Sequence, residues 1–328
     1  MAILKKTFSI IFRISISFVL LIFLFNQVDI KRLFSIMKSA DLNILLLGFC
    51  IFSLNYIFCF LRWEMLLKAV KVFLPFKRVV KSYSGGIFFS LFLPSTIGGD
   101  FVRTVDLAVH TKKPSQIMAT VILDRLSGFI GLVTVALLAL YFGRSFITDK
   151  SVITAMGIIT LILVAILLVL FNDFLYWRIN YFLKSYKKAS NNNKAGLIHR
   201  IRELLKETHS EIHHFRNNKK IILMNLGLSF IIQVISPLTF YFISLSLGIK
   251  LNVLYFFVFL TIIGAITLLP ISIGGLGLRD AATIFFFAKV GVAKDMAFAM
   301  SLLNFIFILI YAGIGGIIYV LTVRNRRV

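Results

Sequence analysis

Five stretches of this chain, 42–61, 152–171, 221–247, 251–273 and 296–323, contain no Asp, Glu, Lys or Arg. Each meets the roughly 20 residues a helix needs to cross a hydrocarbon core about 30 Å thick. Residues 8–25, with Arg13 as their one charge, and 117–142, with Asp124 and Arg125 near the start, are further candidates. Composition agrees: 59% of the 328 residues are hydrophobic, 35 are Phe and 15% are charged, against about 25% charged in soluble domains. The chain reads as an all-α polytopic membrane protein.

Lys5 and Lys6 ahead of an apolar run could suggest a signal peptide, but the run ends in NQVDIKR with no A-x-A-like cleavage site. A retained first helix is expected. Cys50 and Cys59 both fall in the second apolar run. Nine residues apart, they sit on opposite faces of a helix, so no disulfide or metal pair is implied.

The formal net charge of +23 raises nucleic acid as a partner, and its distribution argues against one. The cations gather in short segments between apolar runs. Residues 174–220 hold eleven Lys and Arg against three Glu, and 62–81 hold Arg62, Lys68, Lys71, Lys77, Arg78 and Lys81 against Glu64. Excess Lys and Arg in short loops marks the cytoplasmic side, and such loops attract anionic headgroups at about 1 kcal/mol per cation. With both segments inside, both termini are expected to be cytoplasmic. The chain divides into a first membrane half (1–173), a basic cytoplasmic loop (174–220) and a second membrane half (221–328).

Two pieces then remain, 82–110 and 252–290. By side-counting each begins and ends on one face, the first inside and the second outside. Each carries the same phrase: LPSTIGGDFVR (93–103) and LPISIGGLGLR (269–279), an offset of 176 throughout. Each piece reads as a re-entrant hairpin, giving about seven full spans plus two hairpins in an inverted-topology repeat. Broken helices of this kind survive at membrane depth only where protein or a watery cavity covers them, and transporters place them around the substrate.

The residue types suit that role. Pro94 and Pro270 stop the incoming helix. Gly98, Gly99, Gly274 and Gly275 allow close backbone approach, so Pro94–Gly99 and Pro270–Gly275 are expected to be non-helical and to approach one another. The residues that follow can open a helix whose N–H groups favour an anion. Arg103 and Arg279, one turn further on, add a fork suited to phosphate. The competing reading is that the glycines only let helices pack and the arginines snorkel. Asp100 and Asp106 flank Arg103 at −3 and +3 and can share its face. Asp280 adjoins Arg279. Asp124 and Arg125, charged within an apolar run, are functional candidates by default. These carboxylates could balance the arginines, coordinate a cation or relay a proton.

His199, His209, His213 and His214 lie in the basic loop without H-E-x-x-H spacing and read as solvated. AGIGG (312–316) reads as a small-residue packing face. No Walker loop, nucleophile elbow or paired-Cys zinc spacing occurs. No metal or cofactor is expected.

LRWEMLL (61–67), LPSTIGGDFVRTVDL (93–107), LDRLSGFIGL (123–132) and LLPISIGGLGLRDAATIFFF (268–287) together resemble the lysylphosphatidylglycerol synthase transmembrane family, also called flippase-like membrane proteins. The resemblance covers nearly the whole chain with its motifs in order. It implies residence in a bacterial or archaeal cytoplasmic membrane and the handling of lipids. In the best understood members this region is thought to move aminoacylated phosphatidylglycerol outward, while a separate soluble domain makes it. No such domain is expected in this chain. The family usually has Glu after the second Arg, and here Asp280 takes its place with a shorter reach.

The expected function is translocation of an anionic or headgroup-modified phospholipid, or a polyprenyl-linked lipid, between leaflets. Arg103 and Arg279 are the expected phosphate ligands, the four glycines the backbone cradle, and Asp100, Asp106, Asp124, Arg125 and Asp280 the charge partners or coupling groups. An accessory subunit presenting lipid to a separate transferase is the alternative. A membrane-embedded transferase with Asp100 or Asp124 as base is a third reading. The expected partner is a lipid with an anionic headgroup, with a lipid-modifying transferase or a second copy of the chain as further candidates.

Overall fold

The structure is a computed structural model that describes residues 15, 18–20, 22–24, 26, 29–93, 97–111, 113–172, 174, 176–178, 180–181, 218–267, 272 and 275–324. Every regular element among them is a helix: α1 (Ile30–Lys38), α2 (Leu42–Ala69), α3 (Phe76–Ser90), α4 (Ile97–Thr111), α5 (Pro114–Phe142), α6 (Lys150–Phe171), α7 (Lys219–Ser246), α8 (Val253–Thr267), α9 (Leu278–Ala288) and α10 (Lys294–Arg324). Among the described residues five stretches are long and apolar enough to cross a membrane: Leu42–Ala69, Gln116–Phe142, Lys150–Val169, Lys219–Ser246 and Lys294–Thr322. The expected span 8–25 and the histidines of the basic loop fall largely or wholly outside the described residues.

Aspartates start three helices. The side chains of Asp29, Asp41 and Asp149 accept from the first free backbone N–H groups of α1, α2 and α6. This satisfies donors that have no partner within the helix. Contacts between segments then define two ends of the bundle. At one end, the Asp41 amide donates to the Ser246 carbonyl at 2.8 Å and Lys289 pairs with Asp149 at 2.8 Å. The Tyr255 hydroxyl there donates to the Phe146 carbonyl, and Arg32 on α1 pairs with Asp295 at the start of α10. We call this the capped end. At the other, the basic end, the Lys113 ammonium donates to the Lys71 carbonyl at 3.4 Å.

Two helix pairs therefore turn back on themselves. The pair α3–α4 leaves the basic end after residue 75 and returns to it at Lys113. The pair α8–α9 leaves the capped end after residue 252 and returns at Lys289. The uncharged run 251–273 is not one long helix. Its described helix, Val253–Thr267, has 15 residues, about 22 Å at 1.5 Å per residue, and residue 272 is a bend.

The first break is shorter than the sequence suggests. Pro94 lies outside the described residues, but Ile97, Gly98 and Gly99 already belong to α4. These glycines serve packing. A Cβ on Gly99 would fall 2.3 Å from the Gly86 carbonyl oxygen on α3, and one on Gly98 would fall 2.3 Å from the Leu93 side chain. The first turn of a helix has N–H groups without helical partners anyway, and Asp100 there complements the positive helix end. In the second break Pro270 and Gly274 lie outside the described residues. Gly275 (φ 78°) and Gly277 (φ 77°) take left-handed backbone, which other residues adopt at about 1–2 kcal/mol.

A second glycine seam joins α3 to α10. A Cβ on Gly315 would sit 2.8 Å from the Ser84 carbonyl oxygen, and one on Gly316 would sit 2.6 Å from the Phe88 ring. The core has two main masses. Phe256, Phe259, Phe287, Val152 and Met156 fill the capped end, and Trp63, Leu66, Leu67, Val79, Leu107 and Ile117 fill the basic end.

Candidate functional site

Between those two masses lies a cavity of about 630 Å³, within the range that holds small ligands. Its charged wall is a chain of five side chains from three helices. Arg62 on α2 donates through Nε to Asp124 on α5 at 2.7 Å and through Nη1 to Ser229 on α7 at 2.8 Å. Asp124 also accepts from Arg103 on α4 at 3.0 Å. Arg103 pairs in turn with Asp100, one turn earlier on α4, at 2.8 Å. Asp100 finally accepts from Arg125 on α5, whose Nε lies 2.6 Å away. The signs alternate along the chain: Arg62, Asp124, Arg103, Asp100, Arg125.

Four of these five residues are buried, and pairing is the condition for burying a charge. Arg103 also lies against two aromatics, its guanidinium carbon 4.5 Å from the Trp63 ring and 5.6 Å from the Tyr83 ring. The Ser82 hydroxyl donates to the Arg103 carbonyl, which fixes α3 to α4 at this level. Arg125 differs from the rest, with 34% of its side chain exposed. Three arginines and two aspartates line the cavity, an excess of one positive charge (3 − 2 = 1).

The opposite wall is apolar. Phe129 and Leu132 on α5 face Ile162, Leu163 and Ile166 on α6 across the cavity. Ile162 and Ile166 are also 54% and 44% exposed, so the apolar side of the cavity keeps accessible surface along the α5–α6 cleft. Arg62 lies seven residues from the end of α2 and Asp124 ten from the start of α5, about 10–15 Å from the basic end at 1.5 Å per residue.

The structure thus brings Arg103, Asp100, Asp124, Arg125 and Gly99 to one cavity. It does not bring Arg279, Asp280 or Gly275 to it. Arg279 instead donates to Asp280 at 3.0 Å and to Ser301 on α10, with its guanidinium 5.3 Å from the Phe305 ring. Asp280 is buried and accepts from the Gly277 amide at 3.0 Å and from the Ser301 hydroxyl. The short carboxylate caps α9 and ties it to α10. Asp106 is on α4 but is not part of the cavity wall, and Gly98 packs on Leu93. Among the described residues no group of three or more His, Cys, Asp or Glu could hold a metal ion.

Sequence reading missed Arg62, Ser229 and Gln233. Arg62 had been counted in the basic loop 62–81, but α2 runs on to Ala69 and buries it. The available signal was that LRW continues an uncharged run without a break. Gln233, which donates to the Gly128 carbonyl at 3.2 Å across α7 and α5, carried no signal of its own.

Comparison with known proteins places the chain among membrane proteins. The chain is 26% identical to a UPF0104 membrane protein of Pyrococcus horikoshii over 331 aligned residues, covering 96% of each chain. It is also 26% identical to a UPF0104 membrane protein of Methanothermobacter thermautotrophicus over 255 residues, covering 74% of this chain and 75% of the relative. No solved structure matches the chain. The sequence model of the lysylphosphatidylglycerol synthase TM region matches residues 10–316; with nearly the whole chain covered, the protein belongs to that family of multi-pass membrane proteins.

Proposed function

We propose that the protein is a lipid translocator that moves an anionic or headgroup-modified phospholipid, or a polyprenyl-linked lipid, between the leaflets of a prokaryotic cytoplasmic membrane. One observation carries the reading: a single cavity joins a buried, net-positive charged wall to an apolar wall that keeps accessible surface along the α5–α6 cleft. Such a cavity matches an amphiphile. A charged head gains hydrogen bonds and counter-charge on one side, while a hydrocarbon chain loses nothing by lying along the other.

In this reading the pairs α3–α4 and α8–α9 are re-entrant hairpins entering from opposite faces, and the basic end is cytoplasmic. The cavity then opens from the inner half of the membrane, and the aromatic core around Phe256, Phe259 and Phe287 closes the outer half. The lipid is carried and not chemically altered, so the protein acts without enzymatic turnover.

The test uses purified protein in liposomes, with a headgroup-labelled phosphatidylglycerol followed by outer-leaflet quenching. Exchange above that of empty liposomes, with the lipid unchanged by mass spectrometry, supports the carrier. A chemically altered lipid would mean an enzyme. Absence of exchange across a panel of anionic lipids and polyprenyl phosphates would mean a scaffold that presents lipid to another protein.

A further inference from the structure

Arg103, the arginine that the repeated phrase singles out, is not the best placed of the three to meet a ligand. Two carboxylates and two aromatic rings already occupy it. Arg62 is held by Asp124 and Ser229. Arg125 lines the cavity and is the most exposed member of the alternating chain. The residues lining the cavity carry one more positive charge than negative, so one added negative charge makes the wall neutral, and a second would leave a buried excess of the other sign.

Size supplies an independent constraint. A cavity of about 630 Å³ takes a ligand of drug size and cannot enclose a lipid with all of its hydrocarbon. The chains must leave it, and the wall offers an apolar way out. Ile162 and Ile166 on α6 line the cavity together with Phe129 and Leu132 on α5 and keep 54% and 44% of their surface exposed.

We infer that the ligand is a lipid phosphodiester bearing a single negative charge, that its phosphate docks on Arg125 in competition with Asp100, and that its hydrocarbon leaves the cavity through the α5–α6 cleft. This rests on the reading that a lipid fills this cavity. The phosphate meets a guanidinium fork, and Asp100 keeps its bond to Arg103 when Arg125 turns to the ligand. Lipid monoanions are therefore favoured over zwitterionic lipids, whose own cation would face three arginines.

Cys59 lines the same cavity and reports its occupancy, while Cys50 is exposed on the outer surface. In a Cys50→Ser background, the rate of Cys59 alkylation by N-ethylmaleimide is measured in nanodiscs. Four conditions are compared: phosphatidylcholine alone, phosphatidylcholine with phosphatidylglycerol, phosphatidylcholine with phosphatidic acid, and phosphatidylcholine with water-soluble glycerophosphoglycerol outside. Phosphatidylglycerol is expected to slow alkylation about ten-fold, the equivalent of one charge-assisted hydrogen bond, and phosphatidic acid less. Arg125→Gln should abolish the protection, Arg125→Lys should retain part of it, and Ile162→Trp should block it by filling the cleft. Equal protection by phosphatidylcholine, or full protection in Arg125→Gln, would overturn the headgroup assignment. Protection by glycerophosphoglycerol equal to that by the lipid would overturn the exit route and leave a site for free phosphodiesters. Protection without leaflet exchange in liposomes would sink the translocator and spare this inference, whereas exchange without protection would do the reverse.

Discussion

Replacing Asp124 by Asn removes one charge from a place where two others depend on it. Asp124 accepts from Arg62 at 2.7 Å and from Arg103 at 3.0 Å, and all three residues are buried. Exposed pairs contribute about 0–1 kcal/mol, but removing one partner of a buried pair leaves an uncompensated charge and costs about 3–5 kcal/mol. Asn retains an acceptor oxygen for the Arg62 Nε, and Arg103 retains Asp100, so the loss should fall near the lower bound, about 3 kcal/mol. Trp63 is fully buried and stacked on Arg103, so in a Trp177→Phe background its fluorescence follows the opening of this region in a denaturant titration of the detergent-solubilised protein. Arg62→Met should cost less in the Asp124→Asn background than in the wild type, because the charge it removes no longer has its partner. A coupling of at least about 1 kcal/mol is expected for residues in one network. An Asp124→Asn variant within about 0.5 kcal/mol of wild type, or strict additivity of the pair, would show that the alternating chain does not hold α2, α4 and α5 together.

Gly99→Ala would bring a Cβ within 2.3 Å of the Gly86 carbonyl oxygen and should destabilise the α3–α4 pair by about 1–3 kcal/mol; an unfolding midpoint equal to wild type would contradict the crossing. Single cysteines at Lys71 and Lys113, in a background without Cys50 and Cys59, should resist an impermeant thiol reagent in intact cells while one at Lys250 reacts; the opposite pattern would invert the orientation. At the capped end the Lys289 ammonium, with the Ser151 hydroxyl next, holds the Asp149 carboxyl below the usual carboxylate range. A depressed carboxyl contributes stability above its unfolded value of about 3.9 and loses it as pH falls through the lowered value. The stability difference between wild type and Lys289→Met should therefore stay constant between about pH 8 and 5 and shrink only in stronger acid; a change within that neutral window would mean that another group titrates.

Helix content was legible because it depends on one strong signal, the uncharged run. The repeated phrase correctly marked two places where a helix breaks, since Pro and Gly act locally. Its two arginines looked equivalent by spacing, yet Arg103 faces a cavity and Arg279 is tied to Asp280 and Ser301. That difference arises from the neighbours: Asp124 lies across from one, and α10 packs over the other. The glycines were ambiguous for the same reason, as a residue without a side chain serves a ligand or a neighbouring helix equally well. Gly99 proved to meet Gly86 on the adjacent helix. Arg62 was hidden by its position at the edge of an apolar run, where charge content alone cannot separate a loop cation from a buried one. Asp124 and Arg125 were equal candidates by position, and the greater exposure of Arg125 follows from the helical rotation between adjacent positions, which turns the two side chains by about 100°.

The most direct test is an experimental map of the protein in nanodiscs containing phosphatidylglycerol. Density for a phosphate within hydrogen-bond reach of Arg125, continuous with a hydrocarbon chain passing between Phe129 and Leu132 on α5 and Ile162 and Ile166 on α6, is the expected result. A well-resolved cavity that stays empty in phosphatidylglycerol, or lipid density around Arg279 with none at Arg125, would contradict the account.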